Sequence, residues 1–210
     1  MATDDLTLGP PPGEAALAVV MLHGRGRLPD EMIDFARSVD LPDISWTALR
    51  APEEQRWYPR FFMAPVADNQ PWLNQALAQI DAAIAEIEAA GVARDRIALV
   101  GFSQGACLAS QYVLQRPARW AALIGMTGGL LGPDGTVWDQ VDVLDGLPVL
   151  LSNSEADSWI PWTRSEETAA AFRGLGGDVT LTQYPGRDHL ICDEEIAAAR
   201  AVLETAAGGG

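Results

Sequence analysis

Ile97-Ala98-Leu99-Val100-Gly101-Phe102-Ser103-Gln104-Gly105-Ala106-Cys107-Leu108-Ala109-Ser110-Gln111-Tyr112-Val113-Leu114 is the stretch on which the reading of this chain turns. A short apolar run leads into Gly-x-Ser-x-Gly, and a segment with helical spacing follows, so the order is strand, tight turn, helix. The small residues Gly101 and Gly105 let the backbone bend through a strained conformation that lifts the Ser103 hydroxyl clear of a sheet, where a base can reach it. A bare Gly-x-Ser-x-Gly also arises by chance in a chain with 20 glycines. The strand before it and the helix after it are what mark Ser103 as a candidate nucleophile.

Outward from this turn, apolar runs alternate with helical patterns. Leu17 to Leu22 is continuous and apolar, as expected of a strand covered on both faces, and it ends at His23-Gly24-Arg25-Gly26. Asp30 to Ser38 reads as a helix and Ser45 to Leu49 as a strand. Arg50 to Asn69, rich in proline and aromatics and without periodicity, reads as a binding loop. Leu73, Leu77, Ile80, Ile84 and Ile87 recur at helical spacing from Pro71 to the terminating Gly91. Beyond the Ser103 helix come strands over Trp120 to Met126, Leu147 to Ser152 and Val179 to Tyr184. A glycine-containing loop spans Thr127 to Gly146, and helices cover Ser165 to Leu175 and Asp193 to Ala206. The alternation predicts one α/β domain over 1–210, a mostly parallel sheet with helices on both faces. Residues 1–14 and 207–210 are expected to be loosely ordered.

Composition narrows the chemistry. The formal net charge is −15, from 14 basic against 29 acidic residues, a balance that disfavours nucleic acid and anionic membrane surfaces. Every basic residue is arginine, which removes Schiff-base lysines, the P-loop lysine and Ser-Lys dyads. No membrane-length apolar run or signal-peptide pattern is read, so a cytoplasmic location is expected. Cys107 and Cys192 read as core thiols, and the aromatic residues Trp46, Trp72, Trp120 and Trp138 as packing.

A nucleophilic serine needs a base, and there are two histidines. Both end strands that a parallel sheet brings to the same edge as Ser103. His23 is followed by glycines that suit a backbone platform for a developing oxyanion, leaving His189 as the base. Two histidines also argue against a three-histidine zinc site. The loop after Leu151 offers two acids to orient the base, Glu155 and Asp157, and spacing alone leaves either open.

These residues resemble the serine carboxylesterase/phospholipase family, small α/β-hydrolases without a large lid that include bacterial carboxylesterases and acyl-protein thioesterases. The resemblance is carried by Leu22-His23-Gly24-Arg25-Gly26, Gly101-Phe102-Ser103-Gln104-Gly105-Ala106, Asp157-Ser158-Trp159-Ile160-Pro161, and Tyr184-Pro185-Gly186 with His189. It implies Asp157 rather than Glu155 as the acid, and an oxyanion hole from the backbone N–H groups of Arg25 and Gln104. With Ser103, His189 and Asp157 as the triad, a serine esterase without cofactor or metal is expected, in a monomer or homodimer. The missing lid and the loop aromatics point to small esters with short or medium acyl chains or small aromatic alcohols. Acyl-protein thioesterase or lysophospholipase-like activity is the alternative, and a non-catalytic ligand-binding homologue the lesser one. The chain departs from the family pattern at Asn153-Ser154-Glu155 and at Gly186-Arg187-Asp188-His189, where the family carries other residues. Trp57, Tyr58, Phe61, Phe62, Trp159 and Trp162 fall on loops at the same sheet edge and are expected to wall the substrate pocket.

Overall fold

In a computed structural model, residues 4–52, 54–138 and 143–208 are described. Among these residues seven strands and five α-helices follow one another: β1 (Leu6–Leu8), β2 (Leu17–Leu22), α1 (Pro29–Val39), β3 (Ile44–Leu49), α2 (Trp72–Ala89), β4 (Ile97–Phe102), α3 (Gln104–Gln115), β5 (Ala122–Met126), β6 (Pro148–Asn153), α4 (Trp162–Gly174), β7 (Asp178–Gln183) and α5 (Asp193–Gly208). The sheet runs β1-β3-β2-β4-β5-β6-β7, and every neighbouring pair is parallel except β1 with β3.

Alternate strand residues feed two separate cores. Val20, Leu22, Leu99, Leu123 and Leu151 pack with α2, α3 and α4 on one face. Val19, Met21, Val100, Ile124 and Leu150 pack with α1 and α5 on the other. Burial of both faces is why the central strands read as unbroken apolar runs.

Two expectations about the ends are corrected. Residues 1–14 are not uniformly loose: Leu6–Leu8 pairs with β3 in the register Leu6 to Ala48, and Asp5 Oδ1 accepts the Arg50 N–H at 2.9 Å. Three residues are too few to show alternation, and what orders them is the open edge of β3. At the other end α5 continues to Gly208, with Ala206 and Ala207 packed on the core. Helix α4 likewise starts a turn earlier than its periodicity indicated, directly after Pro161. Residues 139–142 of the expected Thr127 to Gly146 loop lie outside the described residues, as do Glu53 and the terminal Gly209 and Gly210.

Candidate active site

The chain order crosses over beside β2, with β3 on one side and β4 on the other. At such a switch point the loops leaving the carboxyl ends of adjacent strands diverge and open a crevice. Here those loops begin at His23 and Ser103. Ser103 precedes α3 with φ 53° and ψ −119°, a strained conformation for a residue with a side chain, held by its N–H donating to Met126 O at 2.9 Å. Close approach of α3 to β2 requires glycine at 105, because a Cβ there would lie 2.0 Å from Leu22 O.

His189 follows β7 and Asp157 follows β6, on strands that pair side by side. His189 Nε2 lies 2.8 Å from Ser103 Oγ, and His189 Nδ1 lies 2.7 Å from Asp157 Oδ2. The ionised carboxylate can only accept, so Nδ1 carries the proton and Nε2 is left to accept from the serine hydroxyl. Asp157 Oδ1 accepts the N–H groups of Trp159 and Ile160, each at 2.8 Å, so the buried carboxylate is bonded through both oxygens. The imidazole packs against Phe102 at 5.2 Å between ring centroids. Glu155, the other acid of this loop, accepts the N–H of Gly186 at 3.1 Å and braces the His189 loop from outside.

His23 is buried and serves the backbone. Ala51 N–H donates to its Nε2 at 3.1 Å, which fixes the neutral tautomer with Nδ1 donating to Gly24 O at 2.8 Å. Burial lowers its pKa, against a raising contribution from the Gly24 carbonyl and with a smaller lowering from Arg50. In the turn it braces, the Arg25 N–H makes no backbone hydrogen bond among the described residues. Gln104 is the first residue of α3, and its N–H belongs to the helix start that has no partner within the helix. Gly24 closes this gap: a Cβ there would be 3.4 Å from Ser103 Cβ.

A cavity of about 460 Å³ opens on Ser103 and His189. Four of the six aromatics expected to wall it do so: Tyr58, Phe61, Phe62 and Trp159, of which Phe61 and Trp159 are 51% and 62% exposed at the rim. The other two expectations are corrected. Trp57 is fully buried, with its indole Nε1 donating to His23 O at 2.9 Å, so it seals the turn from beneath instead of meeting a ligand. Trp162 begins α4 outside the cavity lining, because the helix starting after Pro161 carries it away from Trp159.

The side-chain contacts of several residues that hold the site were not read from the sequence. Gln104 Oε1 accepts from Trp57 N and its Nε2 donates to Tyr58 O, at 3.0 and 2.8 Å, tying α3 to the aromatic loop. Arg25 donates to the carbonyls of Tyr58, Pro59 and Arg60. Cys107 lines the floor, its thiol raised to about 11 by burial and so unionised. Arg187, one of the departures from the family pattern, pairs with buried Glu195 at 3.3 Å, donates to Leu190 O and reaches Thr127 Oγ1 at 2.7 Å. The departure at Gly186-Arg187-Asp188-His189 marked the position, but the partner that gives Arg187 its role is contributed by another element.

The fold and the strained serine turn define the chain as an α/β-hydrolase. A sequence model of the phospholipase/carboxylesterase family matches residues 7–207, and the chain belongs to that family; it is a hydrolase of the carboxylesterase type. The crystal structure of a phospholipase/carboxylesterase from Dyadobacter fermentans is 35% identical, with 96% of each chain covered and a TM-score of 0.89. That of esterase PE8 is 26% identical over 96% of this chain and 97% of the other, with a TM-score of 0.79. Acyl-protein thioesterase 1 of Gibberella zeae is 32% identical over 116 residues, 54% of this chain, and the match spans about half of that relative, 49% of its length.

Proposed function

We propose that the protein is a serine carboxylesterase that hydrolyses small carboxylic esters through an acyl-enzyme formed on Ser103. The observation that carries this reading is the unbroken line of hydrogen bonds from Ser103 Oγ through His189 to Asp157, at 2.8 and 2.7 Å. His189 Nε2 takes the hydroxyl proton as Ser103 Oγ attacks the ester carbonyl, and Asp157 steadies the imidazolium. The N–H groups of Arg25 and Gln104 receive the oxyanion of the tetrahedral intermediate. His189 then protonates the departing alkoxide. In the second half-reaction it deprotonates a water that attacks the acyl-enzyme, and Ser103 leaves with the proton.

A cavity of about 460 Å³ with an apolar wall suits short and medium acyl chains or small aromatic alcohols better than long lipids. The thioesterase relative supports a second reading, cleavage of protein-bound acyl thioesters by the same machinery, with the exposed Phe61 and Trp159 as a rim along which a longer chain could lie. Both readings are tested by kcat/KM across p-nitrophenyl esters from acetate to palmitate beside a palmitoyl-peptide thioester. Short and medium esters are expected to lead, and a maximum at the thioester moves the reading to the thioesterase. Ser103→Ala should cut turnover by on the order of 10⁴-fold or more and abolish labelling by a fluorophosphonate while keeping the fold. Retention of a few per cent of the activity excludes the serine mechanism.

A further inference from the structure

The cavity mouth has the opposite charge to the molecule. Three arginines, Arg25, Arg27 and Arg60, and no acidic residue line it, in a chain of net charge −15. Arg60 is singular among the arginines. Every other one bonds a carbonyl or pairs with a carboxylate. The Arg60 guanidinium meets no partner among the described residues, although acidic side chains outnumber basic ones two to one on this chain.

Its backbone, in contrast, is pinned. The Arg60 N–H donates to Asn69 Oδ1 at 2.8 Å, and its carbonyl accepts from Arg25 Nη2 at 3.0 Å. A cation without a partner among the described residues is thus carried on a fixed stretch of loop beside the apolar wall of Tyr58, Phe61, Phe62, Trp159 and Ile160. Arg27, a second cation of the lining, meets Glu31 only at 3.6 Å. Arginine is the side chain best shaped for two-point contact with a carboxylate or phosphate.

Resting on the esterase reading, we propose that the preferred substrates are esters bearing a carboxylate or phosphate remote from the scissile bond, received by Arg60 with Arg27 as the second cation. The apolar wall takes the linking carbons, and Arg60 sets specificity without touching the reacting atoms. A field of net charge −15 repels anions in general, so a local cationic rim is what admits one.

Two matched pairs of probes test this. In the first, 4-nitrophenyl hydrogen adipate is compared with its neutral methyl ester, placing the charge on the acyl side. In the second, 4-carboxyphenyl butyrate is compared with 4-(methoxycarbonyl)phenyl butyrate, placing it on the alcohol side. The wild-type protein is expected to favour the anionic member of one pair by roughly three- to ten-fold in kcat/KM, the range of a charge-assisted contact at a half-open site. That pair names the side of the ester that carries the charge. Arg60→Gln should bring the ratio toward one, Arg60→Lys should keep part of it, and added salt should shrink it in the wild type. A preference for the neutral member in both pairs, or a ratio unchanged in Arg60→Gln, overturns the inference while leaving the esterase reading standing. Failure of the wild-type protein to hydrolyse any of the four esters takes down both.

Discussion

Asp157 and Glu155 lie two positions apart on one loop, yet they meet different partners: the imidazole of His189 at 2.7 Å for the first, the backbone N–H of Gly186 at 3.1 Å for the second. Asp157→Asn should therefore lower turnover by up to ~10⁴-fold, because an amide there favours the wrong tautomer of His189. Glu155→Gln keeps an acceptor for Gly186 and should change turnover only a few-fold; a larger loss in this variant would reverse the assignment. His23 acts through stability. Its pKa is lowered from 6.5 by burial. Between that lowered value and the ordinary one the unfolded chain binds more protons than the folded one, so stability rises with pH, is complete above the ordinary value and falls away below it. Glu31, raised by burial, contributes with the opposite sign as pH rises above 4.5, which makes the difference between variants the informative quantity. Urea midpoints from pH 5 to 7 should climb less in His23→Gln than in the wild type. Equal slopes would mean that the neutral, buried imidazole is not what the pH dependence reports.

At the scale of elements, the contact between α3 and β2 places Ser103. An alanine methyl at 105 would sit 2.0 Å from Leu22 O and 2.7 Å from His23 O, both backbone atoms that cannot swing aside. Gly105→Ala should cost about 3 kcal/mol or more, the upper end for overpacking, and should lower activity in whatever fraction folds because both the serine turn and the Arg25 turn must shift. The loop between β7 and α5 has a different anchor. Glu195, at the start of α5, accepts from Ser152 Oγ at 2.5 Å and from Cys192 N at 3.0 Å while pairing with Arg187. Breaking this buried pair with Arg187→Gln should cost about 3–5 kcal/mol, whereas replacing both charges by apolar residues should recover part of that loss. Urea unfolding of the two single variants and the double gives the coupling; strictly additive losses would show that the pair does not act as a unit.

For the whole molecule, charge is the governing quantity. With 29 acidic residues against 14 arginines, most of the arginines already engaged with neighbours, the remaining carboxylates repel one another across the surface. Screening shortens that repulsion to ~10 Å at 0.1 M salt and ~3 Å at 1 M. The melting temperature should rise by a few degrees between low salt and 1 M sodium chloride, and a fall would show that local ion pairs outweigh the net field. Among the described residues no helix is long and apolar enough to cross a membrane. The two-core architecture follows from the same scale: a sheet covered on both faces needs α1 and α5 on one side and α2, α3 and α4 on the other.

The sequence alone determined the alternation of strands and helices, the serine turn and the two histidines at strand ends, because each is written in short-range signals: apolar runs, glycine spacing and residues that follow a strand directly. It left the acid open between Glu155 and Asp157 until a family likeness chose, since two carboxylates on one loop look alike until the loop has a shape. Tertiary structure decided what depends on meeting a distant partner. Leu6–Leu8 is a strand because β3 offers it an edge. Trp57 is buried and Trp159 exposed because one lies under the His23 turn and the other ends at solvent. The role of Arg187 is set by Glu195 on α5, and Arg60 stands apart because its guanidinium meets no such partner among the described residues; neither outcome has a trace in local sequence, where all arginines read the same.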